Sequence, residues 1–203
     1  MIALAIGNGE SRKQIELNNI KKNFTFIGCN AIQRDIEVDH LICCDRRMIE
    51  ESLISNNTSN TKIYVREDYL SFYQSKDDRI HSVPDLPYSS NSKVDMPIHW
   101  GSGPYAVLLA ATLTVEKIFL LGFDLYSNND FFNNVYKDTK NYKNSDSKPI
   151  DYSFWEYQIA KVFECFPNKN FVVLNGQNWQ MPLSWKKRNV FFEVLVTKNL
   201  TLT

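Results

Sequence analysis

The chain has 203 residues, enough for one domain with a small subdomain or lid, and its 23 Lys and Arg balance its 23 Asp and Glu. A formal net charge of zero with no basic stripe argues against a nucleic-acid binder, and no stretch nears the ~20 apolar residues that span a bilayer. The cysteines Cys29, Cys43, Cys44 and Cys165 follow no CxxC or Cys/His ligand spacing, so they read as reduced core thiols of a cytoplasmic protein and not as a metal or redox site.

Short apolar runs alternate with amphipathic segments along the chain, the pattern of a parallel α/β sheet. Ile2 to Ile6 reads as a buried first strand. Ser11, with Gln14 three residues on, forms a capping-box pattern at the start of a helix that Ile15, Leu17 and Ile20 would anchor. Strands follow at 24–29 and 39–44, with Asp45 just past the second. A helix over 46–54, a polar loop over 55–61, a strand over 62–65 and a helix over 67–73 come next. Residues 75–98, with three prolines, read as irregular. An Ala/Leu-rich helix is predicted over 103–114 and a strand over 116–121. Residues 127–150 are almost wholly polar, and an insert of that length inside a compact domain reads as a lid or a disordered loop. A helix over 152–166 and a strand over 171–174 complete the alternation. The tail from Trp185 reads as an edge strand or a homo-oligomer contact. Together these elements predict a single Rossmann-like domain over 1–203, an open, mostly parallel sheet with helices on both faces and a small polar lid.

The turn Gly7-Asn8-Gly9-Glu10-Ser11 joins the first strand to a helix. Two glycines let the backbone approach a phosphate, and free N–H groups at a helix start favour an anion. It is neither a Walker A loop nor a full GxGxxG. Polar residues fall at other strand ends: Asn30, Asp45 and Asp124. Ligands of open parallel sheets sit beyond the carboxyl ends of the strands, so these residues point at one crevice. Asn30 and Asp45 also have a plainer reading, as caps of the helices that follow them. A second glycine turn, Gly101-Ser102-Gly103, opens the Ala/Leu-rich helix, and His99 beside it is a candidate acid, base or phosphate ligand.

Strand–Gly-Asn-Gly–helix, then Cys29-Asn30 at a strand end, then Gly101-Ser102-Gly103-Pro104-Tyr105, then Glu116 to Tyr126, in that order, resembles bacterial sialyltransferases of glycosyltransferase family 42. It also resembles the broader Rossmann-like group of the archaeal 6-hydroxymethylpterin pyrophosphokinase (MptE-like), which includes many phage proteins. The resemblance covers roughly residues 1–126. It implies that Gly7, Asn8, Gly9 and Asn30 hold a cytidine-nucleotide-sugar donor, with Ser102 and Gly103 near it. Tyr126 would hydrogen-bond the leaving phosphate as charge develops there. The chain departs from the sialyltransferase pattern at Phe132, where a second tyrosine is expected; Tyr136 and Tyr142 are the substitutes in reach. The histidines are His40, His81 and His99, so the lid histidine of that family has no counterpart. His99, Asp146 or Asp151 would then have to serve as base.

Three functions stay open on the sequence. The first is metal-independent glycosyl transfer from a nucleotide-sugar to a glycan acceptor, with no tightly bound cofactor. The second is a pyrophosphokinase-like transfer in which Asp45 and Asp124 hold Mg²⁺. The third is a nucleotide-binding or interaction protein without catalysis.

Overall fold

The computed structural model describes residues 2–113, 115–126 and 131–195. Eight strands build one sheet: β1 Ile2–Ile6, β2 Thr25–Cys29, β3 His40–Ile42, β4 Lys62–Val65, β5 Ile80–Ser82, β6 Lys117–Leu121, β7 Asn170–Asn175 and β8 Val190–Val194. Their order across the sheet is β5-β4-β3-β2-β1-β6-β7-β8, and every pairing is parallel. The expected Rossmann-like α/β architecture is therefore present. The chain winds outward from β1 to β5, crosses back, and winds outward again from β6 to β8. Its direction of winding reverses between β1 and β6, and an open parallel sheet has its ligand crevice at such a point.

Both faces of the sheet are covered, which is why the central strands are continuous apolar runs and not alternating ones. In β1, Ala3 and Ala5 face one apolar layer while Leu4 and Ile6 face the other. The first layer holds α4 (Ser102–Thr112) and α5 (Ser153–Cys165). Pro104 to Ala111 are all buried, so α4 has no solvent stripe. Its Ala106, Ala110 and Ala111 leave room for the close approach to β1 and β2 that such a helix makes. The opposite layer holds the one-turn helix α1 (Leu17–Ile20), α2 (Arg46–Leu53) and α3 (Glu67–Gln74).

Three sequence expectations change. The helix after Ser11 is a 3₁₀ turn over Glu10–Gln14 followed by α1, with Ile15 extended between them. No capping box forms: Gly9 is the N-cap and no side chain caps that turn. Ser11 spends its hydroxyl elsewhere. Within the irregular stretch 75–98, Ile80–Ser82 pairs with β4 as a short edge strand. The tail supplies an edge strand, as expected, in β8; residues 196–203 lie outside the described residues. Of the polar insert, 131–150 is packed against the body of the protein, and 127–130 lie outside the described residues. Among the described residues no helix is long and apolar enough to cross a membrane.

Candidate functional site

At the winding reversal the ends of β1 and β6 lock together through backbone alone. Gly7 N–H donates to the Leu121 carbonyl and Gly9 N–H to the Gly122 carbonyl, each at 2.8 Å. A Cβ on Gly7 would stand 2.5 Å from the Gly122 oxygen, and Gly122 itself has φ +76°, so both positions need glycine.

Beyond this junction lies a cavity of about 260 Å³. Four strand-end and helix-start segments line it: Asn8 after β1, Asn30 after β2, Ser102 and Gly103 at the start of α4, and Asp124 to Tyr126 after β6. A strap made of 131–150 closes one side with Phe132, Asn133, Tyr142 and Lys143, and α5 contributes Trp155 and Ile159. The lining is largely aromatic and apolar with a few amides, as small-ligand sites are.

Asn8 and Asn30 share the polar part of this lining with Asn133, Asn134, Asn141 and Lys143. Asn8 and Asn30 each have the side-chain carbonyl oxygen buried with no hydrogen-bond partner among the described residues. Such an orphaned acceptor costs free energy unless something donates to it. Asn30 also sits at φ +53°, a left-handed conformation that asparagine tolerates better than most residues. It therefore does not act as the ordinary helix cap of the plainer sequence reading; no side chain caps the 3₁₀ turn Asn30–Arg34.

The first glycine turn is not an open anion site. The Ser11 amide donates to Asp124 Oδ2 at 3.0 Å, and the Ser11 hydroxyl donates to Asp124 Oδ1. The Glu10 amide donates to Asn133 Oδ1 at 2.8 Å. Asp124, itself buried, also accepts from Asn133 Nδ2 and Asn175 Nδ2, both at 3.2 Å. The carboxylate thus fills the place expected for a phosphate, and a Cβ on Gly9 would overlap it. Gly9 and Asp124 still border the cavity, but Ser11 does not.

The second glycine turn differs. Ser102 and Gly103 line the cavity, and their amides have no partner among the described residues, as first-turn amides lack one within the helix. The Ser102 hydroxyl accepts from Cys44 N–H at 3.0 Å, which ties the start of α4 to the end of β3. Gly101 stands one step back: its amide meets Gln158 Oε1 at 3.3 Å and its Cα packs on the Trp155 indole.

Besides Ser11 and Gly101, three candidate site residues lie outside the cavity. Asp45 caps α2, accepting from the Arg47 amide at 2.8 Å and pairing with its guanidinium; that hydrogen bonding holds its carboxyl below the usual range. His99 is exposed and offers the site only a backbone carbonyl, to Gln158. Asp151 is exposed and accepts from the Ser153 amide at 2.9 Å. Asp146, the other candidate base, is exposed and off the lining as well. These corrections share one cause. Each polar side chain bonds a backbone amide or faces water on its own loop before it can reach the crevice.

Tyr126 does line the cavity, and burial, helped by Asp124 and Glu10, raises its phenol pKa. It is therefore a hydrogen-bond donor at neutral pH. Cys29 lines the cavity too, with burial pushing its thiol up to about 12, so it is no nucleophile. Of the two tyrosines in reach of the Phe132 position, Tyr142 lines the cavity and receives Asn8 Nδ2 at 3.3 Å. Tyr136 points away, donating to Asp35 at 2.7 Å beneath the Arg12 guanidinium.

The strap contributes site residues that the sequence reading passed over, chiefly Asn133 and Lys143, and Tyr152 follows just before α5. Their one signal was a set of aromatics inside an otherwise polar insert. The strap is held by Val135 N–H to the Asn8 carbonyl at 2.8 Å, and by Arg34, which reaches Thr139 and the Lys140 carbonyl while paired with Glu51. Among the described residues no three His, Cys, Asp or Glu side chains converge as a metal site. Compared with protein-family models, with curated proteins and with solved structures, the chain gives no match.

Proposed function

We propose that the chain binds a nucleotide-activated donor of the cytidine monophosphate-sugar kind in the cavity at the winding reversal. The observation that carries this reading is the pair of buried, unpartnered carbonyl oxygens on Asn8 and Asn30. Two asparagines with unpartnered side-chain oxygens, set in the wall of an aromatic cavity, suit a flat ring that carries donors, as an exocyclic amine with ribose hydroxyls does. A volume of about 260 Å³ falls just below the roughly 300–1,000 Å³ of small-ligand sites and suits a mononucleotide better than a dinucleotide. The phosphate would rest on the Ser102 and Gly103 amides at the positive end of α4, with Lys143 the one cation on the described lining. That offsets about one phosphate and falls short of a triphosphate. In a transfer, protonated Tyr126 would donate to the departing phosphate.

The magnesium-dependent reading finds less support. Both Asp124 oxygens already accept hydrogen bonds, and Asp45 is paired with Arg47. Binding without transfer is favoured by one observation: His99, Asp146 and Asp151 all stand off the cavity, and the one described carboxylate on its lining, Asp124, already accepts hydrogen bonds at both oxygens.

Thermal-shift titration tests the proposal, because a ligand raises the melting temperature only of the state it binds. Cytidine monophosphate without metal is expected to stabilise the protein, and uridine monophosphate, which presents an oxygen where cytosine presents an amine, to do so less. A shift only with ATP and Mg²⁺, or none with any mononucleotide, contradicts it. Bound nucleotide with no turnover of a cytidine monophosphate-sugar selects the non-catalytic form.

A further inference from the structure

A second hollow lies where the first turn meets the strap, and it shares no described lining residue with the cavity at the winding reversal. This groove of about 340 Å³ is lined by residues between Arg12 and Asn18, by Asp35 and Ile36, and by Val135 and Tyr136 of the strap. Its most buried charge is Arg12, only 5% exposed. The guanidinium spends Nη2 on the protein, donating to Asp35 Oδ2 at 2.7 Å and to the Tyr136 hydroxyl. Nε is buried with no hydrogen-bond partner among the described residues, and Nη1 has none there either. A buried cation with idle donors is costly, and an arriving carboxylate relieves that cost. Asp35 offsets it only in part, because it is half-exposed and its Oδ2 is shared with the Tyr136 hydroxyl, which donates at 2.7 Å.

The groove does not suit a simple anion. Glu16 and Asp35 line it together with Arg12 and Lys13, so its charges cancel. Lys13 is drawn off by Glu10, which pairs with Lys137 as well. Glu16 is exposed at the start of α1 and its side chain caps nothing. Ile15, Leu17 and Ile36, all core residues, join Val135 as an apolar wall. A ligand of one charge would meet as many like groups as unlike ones. A small zwitterion finds an opposite for each pole: Arg12 for its carboxylate, and Glu16 with Asp35 for its ammonium. A short aliphatic chain between the poles and the wall would bury apolar surface on both sides.

We propose that this groove binds a free α-amino acid with an aliphatic side chain. Val135 N–H also holds the Asn8 carbonyl at 2.8 Å, so an occupant resting on Val135 would brace the strap over the cavity. That consequence rests on the nucleotide reading above; the groove as a binding site stands without it.

The test is saturation-transfer NMR titration of the full chain with leucine, isocaproate and isoamylamine, with and without cytidine monophosphate. The last two keep the leucine carbon chain with one charged group each. Leucine is expected to bind saturably, and each one-headed analogue about fivefold more weakly or worse. Glu16→Gln, an exposed change, should weaken leucine about fivefold while leaving isocaproate binding and melting temperature unaltered. Arg12→Lys should lose leucine and isocaproate alike; should that buried change unfold the chain, Glu16→Gln still decides. Where leucine and nucleotide both bind, each should tighten the other by the same factor. No saturable leucine binding overturns the proposal. So does isocaproate bound as tightly as leucine, the mark of a plain anion site, and so does leucine affinity unmoved by Glu16→Gln. Leucine binding with no nucleotide binding retains this groove and rejects the donor site.

Discussion

The two glycine turns of this chain look alike in sequence, yet one is filled by the protein and the other is open. At Gly7–Ser11 the amides that would greet a phosphate are taken by Asp124, Asn133 and the Gly122 carbonyl. At Gly101–Gly103, Ser102 and Gly103 line the cavity and no described side chain is bonded to their amides. The contrast teaches that a strand–glycine–helix turn sets up an anion site in general, but the residues that arrive from the next strand decide whether it is vacant. Asp124, at the end of β6, is the arrival that closes the first turn. That turn then becomes a structural clamp between β1 and β6, and the open cavity is left to Asn8, Asn30 and the start of α4.

Removing the internal anion should break this contrast most severely. Asp124→Ala strands the Ser11 amide and hydroxyl and two asparagine amides in the interior, and should cost about 3–5 kcal/mol in urea unfolding. Loss of less than ~1 kcal/mol would mean the clamp is not what the geometry says. Gly9→Ala pushes a methyl into the Asp124 carboxylate and should cost about 1–3 kcal/mol. Gly103→Ala should be neutral or stabilising by up to ~1 kcal/mol, since its Cβ meets only Phe123 at 3.4 Å inside a helix. Reversal of that order would place the tight turn at α4 instead.

On the binding side, Asn8→Ala and Asn30→Gly should each weaken cytidine monophosphate binding about tenfold by calorimetry. Glycine is the cleaner change at position 30, because it removes the amide without straining φ +53°. Unchanged affinity in both variants would put the ligand elsewhere.

The smallest effect concerns the strap. Hydrogen bonding to Arg34 holds the Glu51 carboxyl below its usual range. A carboxyl lowered in this way contributes stability above its unfolded-state pKa, and that contribution is lost as pH falls through the folded-state value. The pair is partly open to solvent, so the loss should stay below ~1 kcal/mol. Glu51→Gln should accordingly show a shallower drop in melting temperature on acidification below about pH 5 than the parent does. An identical drop in both would show that this anchor does not hold the strap.

Much of the fold was legible because the central strands are buried on both faces. Ile2–Ile6 and Lys117–Leu121 read as unbroken apolar runs, and the alanine-rich α4 reads as a packed helix. The edge strand Ile80–Ser82 was not legible: three residues with His81 and Ser82 among them carry too little hydrophobic signal. The helix expected after Ser11 failed for a reason of long range. Ser11 and Asp124 are 113 residues apart, and no local pattern announces that the serine bonds a distant carboxylate rather than its own helix start. The site was legible where backbone placement decides it, as at Asn8, Asn30, Ser102 and Tyr126. It was not where a side chain had a nearer partner, as at Asp45, His99 and Asp151.

The central claim is most directly tested by following backbone amide resonances while cytidine monophosphate is added without metal. The account predicts that the Ser102 and Gly103 amides move with saturable binding while those of Glu10 and Ser11, already bonded within the protein, stay in place. Movement of Glu10 and Ser11 with Ser102 and Gly103 unmoved would contradict it.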